Sequence, residues 1–82
     1  MGVFVLLKTF KIAYTKGMKI LIWQERQKHN LTLIKLAEKS GISKTTLNDL
    51  ENEKRSPTLD QLEKIAKSMD ITISDLYESK YK

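Results

Sequence analysis

At 82 residues the chain has room for one small domain and not for a second core, and 40% apolar with 30% charged residues marks it as globular. No run approaches the roughly 18 apolar residues of a membrane helix, and the absence of cysteine excludes a disulfide framework and a thiolate zinc site. The net charge of +5 is compatible with nucleic-acid binding, but residues 1–17 hold Lys8, Lys11 and Lys16 with no acid, so the excess lies mostly in that leading arm.

The start, "MGVFVLLKTF", lacks the basic leader, long apolar stretch and small-residue cleavage site of a signal peptide. A cytoplasmic location is therefore expected, at the nucleoid when DNA is bound. The stretch "KTFKIAYT" alternates, with Phe10, Ile12 and Tyr14 on one side, which is the pattern of a half-buried strand. Residues 1–17 are read as an arm that is either such a strand, pairing across a dimer axis, or disordered. In the second case Met18 is the natural start.

From Met18 the period becomes helical. Met18, Leu21 and Ile22 share a face of a first helix that runs into polar residues up to Asn30. Thr32 is positioned to cap a second helix that turns Leu36, Ala37 and Ser40 inward, and Gly41 follows where a left-handed residue closes a helix. Ser43 caps a third helix from Lys44 to about Asn52. "EKRSP" is a loop closed by Pro57. Thr58 and Gln61 have capping-box spacing and open a fourth helix to about Met69. Ser74 caps a fifth, short helix through Tyr77. The expected fold is all-α: five short helices over residues 18–79, with 80–82 as a tail.

On a helical wheel at about 100° per residue, Leu47 and Leu50 mark the buried side of the third helix. Lys44, Thr45, Asn48, Asp49 and Asn52 fall opposite. Short side chains with donors and acceptors match the edges that bases present in a major groove. Any solvated helix face is also polar, and the face alone does not separate the two readings. The segment before it adds a spacing: Ala37 for close helix approach, Gly41 for the turn, Ile42 to plug the gap and Leu47 for the anchor, which is the spacing of a helix-turn-helix.

Residues 31–78, with the motifs "LAEKSGIS", "LENEKRSP" and "LEKIAKSMDITISDL", resemble the Cro/lambda-repressor helix-turn-helix family, also called Xre. With the first helix included, the resemblance covers Met18 to about Glu78. It implies a five-helix domain that binds a double-stranded DNA operator as a homodimer, acting as a transcriptional repressor. It implies base contacts from Lys44, Thr45, Asn48 and Asp49, with Ser43 and Thr46 near the DNA backbone. It also implies a structural ion pair between Arg26 and Glu51. Phosphate anchors should flank the groove: Lys54 and Arg55 after the third helix, and Thr32 at the start of the second, where free amides meet a positive dipole end.

Three positions depart from the family pattern. Leu33 stands where glutamine is common, Asp49 puts a carboxylate on the reading face, and Glu53 stands where glycine is usual. A non-glycine residue at the last position must either take a positive φ, costing on the order of 1 kcal/mol, or alter the loop. Residues 31–55 carry five basic and four acidic groups. These features favour a second reading, an antitoxin-like or other protein-interaction module with Trp23, Leu33 and Ile34 in the contact. A C-terminal surface of Ile73, Leu76, Tyr77 and Tyr81 is the alternative dimer face. No catalytic residue, metal site, cofactor or small-molecule ligand is expected: His29 is the single histidine, and the serines are explained as caps and loop residues.

Overall fold

The computed structural model describes residues 18–82, so the expected strand over residues 8–15 lies outside the described residues. The order is β1 (Met18–Ile20), α1 (Ile22–Lys28), α2 (Leu33–Ser40), α3 (Lys44–Glu51), α4 (Leu59–Met69), a 3-10 turn (Ile73–Leu76) and β2 (Tyr77–Ser79). Side-chain oxygens start three of the helices. Thr32, Ser43 and Thr58 accept from the backbone N–H groups of Lys35, Thr46 and Gln61 at 3.0, 3.1 and 3.0 Å. Gln61 returns the bond by accepting from the Thr58 N–H, which completes a capping box. Gly41 closes α2 at φ 77, the left-handed conformation glycine adopts without penalty.

The core is one apolar cluster. Ile22 of α1, Leu36 of α2, Leu47 and Leu50 of α3, Ile65 of α4 and Leu76 of the 3-10 turn are fully buried. Ile42 plugs the turn between α2 and α3, also buried. Leu33 and Ala37 are half-buried against this cluster, so Leu33 serves the core where the family's glutamine would face outward.

Two expectations need correction. Over the described residues the all-α, five-helix architecture becomes four α-helices with a two-stranded sheet. Residues 18–20 do not open the first helix but pair antiparallel with 77–79, in the register Met18↔Ser79, Lys19↔Glu78 and Ile20↔Tyr77. The Leu21 N–H donates to the Leu76 carbonyl at 2.8 Å, which commits the backbone to the sheet until Ile22. The fifth helix is a single 3-10 turn, and Thr72, not Ser74, stands at its N-cap. Tyr77 ends it in extended conformation at φ −150 and ψ 160. The proposed C-terminal dimer face changes as well: Leu76 is buried inside the domain, Ile73 and Tyr77 pack on its core, and only Tyr81 is well exposed.

The Asp75 carboxylate accepts from the Thr72 N–H at 3.1 Å. That bond, followed by one with the Thr72 hydroxyl, holds its pKa below the ordinary 3.8. The depressed value means the interaction stabilises the fold above the ordinary carboxylate range and is lost as pH falls through the folded-state value. NMR titration should place the Asp75 midpoint below the ordinary 3.8, and Thr72→Ala, which removes the hydroxyl bond, should raise it. At Gly41 an added Cβ meets nothing within 4 Å, so only backbone strain opposes substitution. Gly41→Ala should cost about 1 kcal/mol in urea denaturation, well short of the several expected from a core truncation.

Candidate nucleic-acid interface

α3 is eight residues long, too short to persist alone in water. Its position is imposed by Leu47 and Leu50, both at 0% exposure, each contributing about 2 to 3 kcal/mol by burial. A second attachment is polar. Arg26 of α1 donates from Nε to Glu51 Oε2 at 2.6 Å and from Nη2 to Glu51 Oε1 at 3.0 Å, a bidentate pair. Its Nη1 donates to the Leu31 carbonyl at 3.0 Å, tying the α1–α2 link into the same guanidinium. The two side chains are 11% and 4% exposed, so the pair is largely desolvated.

With its inner side fixed, α3 turns Lys44, Thr45 and Asn48 to solvent, while Asp49 is half-buried. Asn52, just past the helix, donates from Nδ2 to the Asn48 carbonyl at 2.9 Å and to Asn48 Oδ1 at 3.2 Å. That leaves the Asn48 amide group as a donor on the outer face. Asp49 Oδ2 lies 3.6 Å from Arg55 Nη2. The loop makes this possible, because the Lys54 N–H donates to the Asp49 carbonyl at 2.8 Å and Glu53 takes φ 58, the left-handed conformation that a glycine would adopt freely. Arg55 and Asp49 are therefore partners, a relation the sequence reading missed. Their spacing of six residues matches no helical repeat, and only the loop geometry reveals it.

Hydroxyls cluster at two helix starts. Thr32 Oγ1 accepts from the Lys35 N–H and keeps its own proton. Ser43 Oγ donates to Thr46 Oγ1 at 2.9 Å while accepting from the Thr46 N–H, so of the two hydroxyl protons the Thr46 one is left uncommitted. Lys44 and Lys54 make no ion pair with the described residues, whereas Lys35 is 3.3 Å from Glu38. His29 lies 3.8 Å from Glu25, on the far end of α1. Among the described residues no group of three or more acidic or histidine side chains is placed to hold a metal, and no helix is long and apolar enough to cross a membrane.

Residues 24–76, which span the whole of this arrangement, match the family described as Helix-turn-helix. The chain belongs to that family, in its Xre, Cro/lambda-repressor-like form. This helix-turn-helix chain is 40% identical over 50 residues to the HTH-type transcriptional regulator YobD of Bacillus subtilis (strain 168), covering 61% of this chain and 45% of YobD. It is 37% identical over 49 residues to the immunity repressor protein of Bacillus phage phi105, covering 60% and 34% of the two chains. It is 33% identical over 61 residues to the HTH-type transcriptional regulator SinR of Bacillus subtilis (strain 168), covering 73% and 55%. The chain thus spans between a third and just over half the length of these relatives.

The buried pair makes a sharp expectation. Removing one partner strands the other charge, so Arg26→Met and Glu51→Leu should each destabilise by about 3 kcal/mol or more. The double replacement should cost much less than the sum, as read by urea denaturation in a double-mutant cycle. Additive losses would mean the pair is not coupled.

Proposed function

We propose that this protein is a sequence-specific DNA-binding transcriptional regulator, a repressor that occupies its operator as a dimer in the cytoplasm. The observation that carries the reading is the outward polar side of α3, held by two buried leucines and flanked by uncommitted hydroxyls and lysines. An α-helix fits the major groove, and the relatives named as regulators and as a phage repressor support the same assignment.

In this reading Lys44, Thr45 and Asn48 meet base edges, with Asp49 beside them. Lys44 suits a guanine, and the donor amide of Asn48 suits an acceptor edge. Thr32, Ser43, Thr46, Lys54 and Arg55 lie along the phosphates. Thr32 and Thr46 donate their hydroxyl protons, Lys54 acts as a free point charge, and Arg55 is partly neutralised by Asp49. Arg26 and Glu51 only orient α3. Two copies would set their third helices one helical turn apart, about 34 Å. Nothing in this scheme requires catalysis. An interaction-module reading is favoured by one feature, the 56% exposed Ile34 on α2.

Selection from random duplexes should enrich one operator. Asn48→Ala or Thr45→Ala should then relax the preference at single positions by about 1 to 3 kcal/mol. Lys54→Ala should weaken all sequences alike and lower the salt slope by about 1. Asp49→Asn frees Arg55 and should act in the opposite direction, tightening binding generally and steepening the salt slope. Enrichment of nothing, or identical behaviour of all four variants, would overturn the assignment.

A further inference from the structure

Asn48, exposed on the outer side of α3, does not set the orientation of its own amide. Asn52 lies one helical turn further on, at the C-cap of α3. The main-chain carbonyl of Asn48 accepts from Asn52 twice, from the backbone N–H at 3.0 Å and from the side-chain Nδ2 at 2.9 Å. A carbonyl can only accept, so the atom that Asn52 turns toward it must be the nitrogen. That nitrogen carries a second hydrogen, and the Asn48 side chain meets it at 3.2 Å. The Asn48 atom at this contact must then be Oδ1, because two NH2 groups would set donor against donor. A main-chain acceptor thus fixes the sense of both side-chain amides.

An unrestrained asparagine presents an acceptor and a donor side by side, and it pairs through two bonds with N6 and N7 of adenine. Asn48 has its oxygen directed along the helix to Asn52, which leaves Nδ2 for the outer face. Turning the amide to suit adenine would give up the bond with Asn52. We infer that Asn52 is a specificity-determining residue that acts through Asn48, restricting it to bases with acceptor atoms in the major groove, guanine first. Guanine offers N7 and O6 as neighbouring acceptors for the two hydrogens of one NH2 group, whereas adenine and cytosine each place an amino group there. Thymine offers one acceptor beside a methyl group and ranks second. This rests on the regulator reading, in which α3 enters the major groove, and it makes Asn52 a positioning residue that needs no base contact of its own.

The test is selection of operators from random duplexes by the full chain and by its Asn48→Ala, Asn52→Ala and Asn52→Asp variants. The position that Asn48 reads is the one at which Asn48→Ala loses its preference. There the unaltered chain should favour guanine over adenine by roughly tenfold. Asn52→Ala, which keeps the backbone N–H that closes α3, should bring the two bases within about threefold of each other. Asn52→Asp places a carboxylate where the donor stood; it accepts from Asn48 Nδ2 and turns Oδ1 outward, so the preference should pass to adenine or cytosine, the bases that donate. Adenine or cytosine preferred by the unaltered chain, or a guanine preference unchanged in both Asn52 variants, would overturn the inference and leave the regulator reading standing. Enrichment of nothing by the unaltered chain would instead overturn that reading, and this inference with it.

Discussion

A helix of eight residues cannot hold its own shape, so everything that α3 presents depends on how it is clamped to the body. Two unlike attachments share the task. Leu47 and Leu50 contribute most of the free energy, because their burial is unopposed by any polar penalty. The Arg26–Glu51 pair contributes less on balance, since two charges must leave water before they meet. What the pair adds is direction. A greasy contact tolerates rotation of the helix about its axis, while a bidentate fork at 2.6 and 3.0 Å does not. Because Arg26 also holds the Leu31 carbonyl, the same guanidinium fixes the chain leading into α2. One side chain thereby sets the relative placement of three helices.

The connections between helices follow a repeated device. A left-handed residue comes within two positions of every α-helix end: Asn30 at φ 55, Gly41 at φ 77, Glu53 at φ 58 and Asp70 at φ 57. Asparagine and aspartate adopt this conformation at modest cost, and glycine at none. Glu53 bears the largest penalty of the four, on the order of 1 kcal/mol. Its strain falls in the loop that follows α3, where the Lys54 N–H reaches back to Asp49 and Arg55 is brought against the Asp49 carboxylate. The strained turn and the ion pair are one local arrangement.

This pattern of local and distant causes decides what the sequence reveals. The starts of α2, α3 and α4 are legible because a cap needs only a hydroxyl and an amide three residues on, as at Thr32, Ser43 and Thr58. The inward side of α3 is legible from the spacing of its leucines. β1 is not, because "MKILI" is a short apolar run with no period of its own, and its partner lies at the other end of the chain. The 3-10 turn fails for a related reason: "ISDLYE" carries a helix-like start, but Tyr77 is drawn into the sheet by Ile20. At the interface, the outward residues of α3 can be read from a wheel. The pairing of Asp49 with Arg55 cannot, since it depends on a turn that the usual glycine would make unremarkable.

The charges bear directly on the proposed binding of a polyanion by a weakly basic segment. Of the five basic side chains in residues 31–55, Lys35 is engaged by Glu38 and Arg55 by Asp49. Glu51 is spent on Arg26, which lies outside that stretch. Lys39, Lys44 and Lys54 remain: Lys39 near the end of α2, Lys44 at the first residue of α3 and Lys54 just beyond its last. Lys44 and Lys54 bracket α3, while the pairing of Lys35 with Glu38 and of Arg55 with Asp49 lowers the positive field beside it. Long-range attraction to any polyanion is reduced by the same step, since it scales with the number of phosphates a surface can neutralise. Binding by such a surface must therefore draw more on fitted hydrogen bonds than on bulk charge, a balance that favours discrimination between sequences over sheer affinity.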